Sequence, residues 1–327
     1  MCYANSKKIQ KNVHSLKMVI RMRENLYSKK GLILQKIAEQ LLFIEIDQRL
    51  PKVGDFAEKY QVGRGTIQSA LKKLEEENCI RLEPRGHLGT FLRAKNLPNL
   101  LLYAGANQIT GVMPLPYSKK YEGLATGLTS EFENLGLSLN IAFMRGSEIR
   151  LDGVRKERYD FALVSKFAAL EELKKDKNLK IALQFGMKTY VSEHGVVFAD
   201  ADKRQLSNGM KVGIDSFSAD QRILTQAEVN GLEVDYLELN YMHLLQHLKA
   251  NTIDAMIWNV DEIDPASFHI QPLSSPLAIQ YEKQMNEAVC VIKKDNRKMD
   301  YIINMLSKDK IVEIQADVVK GNLIPKY

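Results

Sequence analysis

Cysteine is scarce, and its placement narrows the field. The three in 327 residues, Cys2, Cys79 and Cys290, are far apart and show no Cys-x-x-Cys or Cys/His ligand spacing. A disulfide framework and a zinc finger are therefore not expected. Long apolar runs are missing too: no stretch of about 18 apolar residues occurs, and nothing behind the basic N-terminus forms the run of roughly 7–15 that a signal peptide needs. The expectation is a cytoplasmic protein with no membrane partner. Acidic residues are thin in one part only. Residues 1–95 hold 19 Lys and Arg against 10 Asp and Glu, and the rest of the chain 27 against 30, within a net charge of +6. A basic head on a near-neutral body suits a nucleic-acid-binding module joined to a sensor.

The head is organised around Arg49–Leu92. Phe56, Ala57 and Tyr60 recur at helical spacing, Gln61 and Val62 make a turn, and a second helix opens near Arg64 with Ile67, Ala70, Leu71 and Leu74 at i, i+3, i+4 and i+7. That stripe faces a core and leaves Arg64, Gln68, Ser69 and Lys72 outside. Ile80 to Leu82 reads as a strand, Pro84 to Leu88 as a turn and Thr90 to Leu92 as a returning strand. Upstream, Leu32, Ile33, Ile37, Leu41 and Leu42 mark an amphipathic helix that closes the core. Glu75-Glu76-Glu77 reads as a solvated face turned away from DNA.

Leu50-Pro51, Val62-Gly63-Arg64-Gly65-Thr66, Ala70-Leu71-Lys72-Lys73-Leu74, Cys79-Ile80 and Gly89-Thr90-Phe91 together resemble the winged-helix DNA-binding domain of GntR-family transcription regulators. The resemblance implies that Arg64, Gly65 and Thr66 at the helix start, with Gln68, Ser69 and Lys72 along it, meet a double-stranded DNA operator. Arg85, Gly86 and His87 at the wing tip would approach the minor groove or the backbone. Taken alone, Arg64 is a solvated charge and His87 a turn residue. The chain departs from the family at Gly63, where a capping serine is usual, and at Gly54 and Gln68, where arginine is common. Fewer cations imply a shallower salt dependence, while the Gln68 amide could read adenine.

Beyond residue 99, strand-length apolar runs alternate with helical stretches. Leu100 to Ala104, Leu137 to Phe143, Phe161 to Val164, Val196 to Phe198, Lys211 to Ile214, Val234 to Leu237 and Ala255 to Trp258 read as strands, and Tyr121 to Leu135, Ser218 to Asn230 and Tyr241 to Lys249 as helices. Such alternation predicts parallel sheets, here in two lobes. Arg158 to Ser165, Lys211 to Ser216, Leu248 to Trp258 and Glu287 to Lys293 resemble phrases of the type 2 periplasmic-binding-protein fold. The combination with the head is similar to the YhfZ-like group. The expected organisation is a basic extension (1–30), an α+β winged helix-turn-helix domain (31–93), a linker (94–99) and a two-lobed α/β effector-binding domain (100–327). Lobe I takes about 100–188 and 275–327, and lobe II about 189–274. In residues 1–30, Leu16, Val19, Ile20 and Leu26 could line a docking or dimerising helix, or the segment is a solvated basic tail.

Ligands of open α/β sheets bind outside the carboxyl ends of strands. That rule selects Ala106 and Asn107 after the first expected strand, Ser165 and Lys166 after the third, and Ser216, Ser218 and Ala219 before a helix whose N-terminus attracts anions. Trp258 and Asn259 would line the facing wall. Each serine taken alone reads first as a helix cap, and Trp258 equally as core. His243 and His247 are four apart but have no third ligand, so no metal is expected. Nothing fixes the distance between His194 and Asp200 as an acid/base pair. No catalytic group and no cofactor are assigned. The function expected is a homodimeric regulator answering to a small polar or anionic effector. The alternatives are an enzyme of the same two-lobed fold with a DNA-binding appendage, and a body that only dimerises.

Overall fold

The apolar stripe of the second head helix decides how the head packs. In the computed structural model, which describes residues 29–106, 108–263 and 267–327, Ile67, Ala70, Leu71 and Leu74 of α3 (Arg64–Glu76) are buried. They pack on α1 (Lys29–Leu42) and α2 (Val53–Tyr60), which bury Ile33, Ile37, Leu41 and Phe56. The Asp55 carboxylate accepts the Lys52 N–H at 2.9 Å and fixes the start of α2, and Gln61 ends it in the left-handed conformation, φ 52°. Gly63 opens α3 with φ −66° and no side-chain cap. The chain then forms an antiparallel hairpin, β1 (Ile80–Pro84) and β2 (Thr90–Lys95). Residues 47–50 add to its edge, with Leu50 N–H donating to Thr90 at 2.8 Å. Gly89 at the wing tip has φ +95°, and the Arg49 guanidinium occupies the space a Cβ would need.

Two expectations at the end of the head are corrected. Leu100 to Ala104 is not a strand, and 94–99 is not a linker: β2 runs to Lys95 and is followed at once by α4 (Leu97–Tyr103). The Asn96 side chain caps Asn99 N–H and proline stands in the first turn, both helix-start signals. The helix buries Leu100 and Leu101 and packs on α1. Accordingly the first of the chain's two units ends at Asn107 and the second begins at Gln108. The expected basic extension, through residue 28, lies outside the described residues, as does Asn107.

The second unit contains two five-stranded sheets of one design. The first comprises β3 (Ile109–Met113), β4 (Leu139–Phe143), β5 (Phe161–Ser165), β6 (Leu179–Gly186) and β12 (Ala288–Lys293), in the order β4-β3-β5-β12-β6. The second comprises β7 (His194–Phe198), β8 (Lys211–Ile214), β9 (Asp235–Glu238), β10 (Ala255–Asn259) and β11 (His269–Pro272), in the order β9-β8-β10-β7-β11. In each, three parallel strands come from one stretch of chain. The fourth, β12 or β7, runs antiparallel and arrives from the other sheet. The sheets are therefore mixed, not parallel, because the chain crosses between lobes twice. Helices α5 (Lys119–Asn134), α6 (Ser147–Arg155), α7 (Lys166–Lys175), α8 (Ala219–Glu228), α9 (Tyr241–Lys249), α10 (Pro276–Met285), α11 (Arg297–Ile303) and α12 (Lys308–Lys320) cover them. Gly123 and Gly127 let α5 and α12 touch, since a Cβ at either would lie 2.8 Å from α12 backbone. Ala278 and Met285 of α10 complete the core of the second sheet.

Candidate functional site

On the head, the face opposite the buried stripe is open. Arg64, Gly65, Gln68, Ser69 and Lys72 are exposed and Thr66 is half-buried. Arg64 has no ion pair among the described residues, whereas Lys72 lies 3.7 Å from Glu76. The wing is differently built. Gly86 and His87 are exposed, but Arg85 is held 3.0 Å from Glu83 and lies over the Phe91 ring at 4.9 Å. Arg93 is bound by the same Glu83 at 2.8 Å and by Asp47. Two wing cations are thus already partnered by acids.

The second site is a cavity of about 100 Å³ between the two lobes. Its walls are the segments that follow strands: Pro114 and Leu115 after β3, Arg145 and Gly146 after β4, Asp215 and the stretch from Phe217 to Gln221 after β8, Tyr241 after β9, and Trp258, Asn259 and Glu262 at the end of β10. An ion pair crosses it, Arg145 Nη2 to Asp215 Oδ2 at 2.6 Å, with Asp215 only 1 % exposed. Asp215 also accepts the N–H groups of Phe217 and Tyr241, both at 2.9 Å. Arg150, 4 % exposed, donates to the Met144 and Leu163 carbonyls and to Tyr190 Oη at 2.7, 3.1 and 3.1 Å. Tyr241 stacks on Trp258 with centroids 3.9 Å apart. The phenols of Tyr121 and Tyr241 are pushed well above their ordinary value by burial, so both stay protonated.

Two carboxyls are unusual. Burial raises Glu262 to about 7, although Asn259 and Tyr241 hydrogen-bond to it at 3.1 and 3.4 Å. Burial also raises Asp220, against a hydrogen bond from Ser165 and the charges of His194 and Arg150. Among the described residues seven buried side-chain polar atoms have no partner, and four of them line this cavity: Tyr117 Oη, His194 Nδ1, Asp220 Oδ1 and Trp258 Nε1. Buried polar groups are rarely left unmatched, and their concentration here makes this cavity the candidate site.

A family model described as the YhfZ C-terminal domain matches residues 96–327, and one described as a helix-turn-helix domain matches 45–92. The chain belongs to the YhfZ family. It is 34 % identical to YhfZ of Escherichia coli (strain K12) over 310 residues, 94 % of this chain and all of the relative. A crystal structure of YhfZ from Shigella flexneri is 34 % identical and superposes with a TM-score of 0.59, covering 71 % of this chain and 98 % of that one. The methionine-binding protein MetQ is more distant, at 13 % identity and a TM-score of 0.46 over 68 % of this chain and 99 % of that one. Among the described residues no helix is long and apolar enough to cross a membrane.

In this YhfZ-family body, the residues selected by sequence fall in three places. Ser218, Ala219, Trp258 and Asn259 line the cavity, and Ser165 reaches it through Asp220. Ser218 makes no side-chain cap, whereas the Ser165 hydroxyl accepts Ala168 N–H at 3.1 Å. Lys166 is turned to Glu287, 2.8 Å away, and Ser216 is exposed outside the cavity. Ala106 is a correction. It precedes β3 and so sits at the opposite end of that strand from the cleft, because the run before it is α4. His194 Nδ1 stands 3.7 Å from Glu282 rather than beside Asp200, and His247 Nδ1 meets Thr252 at 3.0 Å. Arg145, Arg150, Asp215, Asp220, Tyr241 and Glu262 were not selected. The strand-end rule that chose Ser216 and Ser218 also points to Arg145 and Asp215, each within two residues of a strand's last residue.

Proposed function

We propose that this YhfZ-family protein is a cytoplasmic, homodimeric transcription regulator with a GntR-like winged helix, and that a small polar metabolite in the cleft modulates its binding to operator DNA. One observation carries the reading: a single chain joins an exposed Arg64, without an ion pair among the described residues, at the start of a helix-turn-helix recognition helix to a cleft whose walls hold four buried atoms with no partner among those residues. Arg64 and Gln68 would read base edges, with Gly65 and Thr66 allowing close approach to the backbone and Ser69 and Lys72 meeting phosphate. Two heads related by a twofold axis would engage half-sites about one helical turn apart, or a multiple of it.

The test is fluorescence anisotropy on labelled DNA from upstream of the protein's own gene, at two salt concentrations with excess nonspecific competitor. The wild type binds through competitor, and Arg64→Ala loses about 1–3 kcal/mol. Equal affinity of the two proteins under matched salt removes Arg64 from the interface. Loss of all binding to competitor reduces the head to a source of charge.

A further inference from the structure

The unmatched atoms of the cleft constrain what fills it. An indole N–H can only donate, and a carboxylate oxygen, in the ionised form that a ligand cation beside it favours, can only accept. A ligand that satisfies both Trp258 Nε1 and Asp220 Oδ1 must therefore carry an acceptor for the first and a donor for the second. Trp258 is 3 % exposed, so bulk water does not reach its N–H.

Charge narrows the choice further. Arg145 and Asp215 neutralise each other. Arg150 is bound by two carbonyls and a phenol, has no ion pair among the described residues, and acts electrostatically on Asp220. Glu262 is near the midpoint of its titration at neutral pH and already bonded by Asn259 and Tyr241. Beyond the Arg145–Asp215 pair the cavity therefore presents one cation, Arg150, and one carboxyl, Asp220, that a ligand ammonium would hold ionised. A bare anion or a bare cation would bring uncompensated charge into a desolvated place, which is strongly unfavourable. A zwitterion brings none. The tyrosine rings that line the same cavity as Asp220 suit an ammonium. The first turn of α8, which Ser218 leaves without a side-chain cap, offers free N–H groups to an acid.

We propose that the cleft binds a small zwitterion, an amino acid or an equivalent amine-bearing acid, with its ammonium against Asp220 Oδ1 and its acid group against Trp258 Nε1 and the start of α8. Calling this ligand the effector rests on the regulator reading; its binding does not. The cavity of about 100 Å³ restricts it to small members of the class.

The experiment is thermal shift followed by calorimetry on the full chain with the common L-amino acids, each hit retested as its deaminated acid and its decarboxylated amine. At least one amino acid binds, and both truncated analogues bind at least about tenfold more weakly, because each leaves a buried polar atom unmatched. Asp220→Asn and Trp258→Phe each lose at least about tenfold in affinity. Ligand-free Asp220→Asn melts no lower than the wild type, since the substitution removes a desolvated charge; a merely structural role would lower it. An acid or an amine that binds as well as its parent, silence across all amino acids, or unchanged affinity in Asp220→Asn overturns the proposal. Amino-acid binding that leaves operator anisotropy untouched fells the regulator reading and leaves the zwitterion site standing. Operator binding that answers to a simple acid alone does the reverse.

Discussion

Glu262 carries its proton for a physical reason that can be measured. Its carboxyl is raised from 4.5 to about 7 by burial beside Tyr241, despite two hydrogen bonds that favour ionisation. Between these two values the folded chain holds a proton that the unfolded chain has released. Stability contributed by the protonated form is therefore complete below about pH 4.5 and is lost as pH rises to about 7. Because the side chain is partly exposed, the effect is about 1–3 kcal/mol rather than the full equivalent of the shift. Glu262→Gln keeps the shape without the titration, so its melting temperature falls less than that of the wild type between pH 5 and 7. The difference between the two curves isolates this residue, because every other group is the same in both proteins. Parallel curves would mean that Glu262 is ionised throughout.

The wing is the element where charge has been arranged against simple phosphate attraction. Glu83 binds both Arg85 and Arg93, so these cations must leave a carboxylate before they can meet DNA. Glu83→Gln frees Arg85, while Arg93 keeps its pair with Asp47. Operator and nonspecific binding both tighten, and the slope of log affinity against log salt steepens by about 0.9 for each new phosphate contact. An unchanged slope would show that the wing stays clear of the backbone. Elements of this kind were legible where their information is local. Helices α2 and α3 follow from apolar spacing within a dozen residues, and the β1–β2 hairpin from its flanking strands and glycine. Leu100 to Ala104 misled because a short apolar run has no period of its own. The capping Asn96 and the proline after it were the signals that mattered. The mixed sheets were not legible, since β7 and β12 pair with strands far away in sequence. The cleft was half legible for the same reason. The strand-end rule finds its walls, but that Arg145 meets Asp215, 70 residues on, or that Ser165 meets Asp220, is decided only by how two lobes close.

That closure is the property on which any signal from the body depends. Arg145 belongs to the lobe of β4 and Asp215 to the lobe of β8, so their ion pair crosses the gap. The lobes are therefore held together by the chain's own groups, and a ligand can shift their equilibrium only by its difference in affinity for the closed and open forms. A charge-assisted hydrogen bond contributes about 1.5–3 kcal/mol. Arg145 is 31 % exposed, so about 1–2 kcal/mol is reasonable after solvent screening. Arg145→Ala should then raise the open fraction roughly 5- to 30-fold. Asp215 remains satisfied by the N–H groups of Phe217 and Tyr241, so the fold itself survives. Spin labels at exposed Lys174 on α7 and His243 on α9 report the separation of the lobes. In the wild type one short distance dominates; in Arg145→Ala a longer one grows in, and saturating ligand restores the short one. An identical distance distribution in both proteins would show that packing, not this ion pair, closes the cleft, and ligand would then have little left to change.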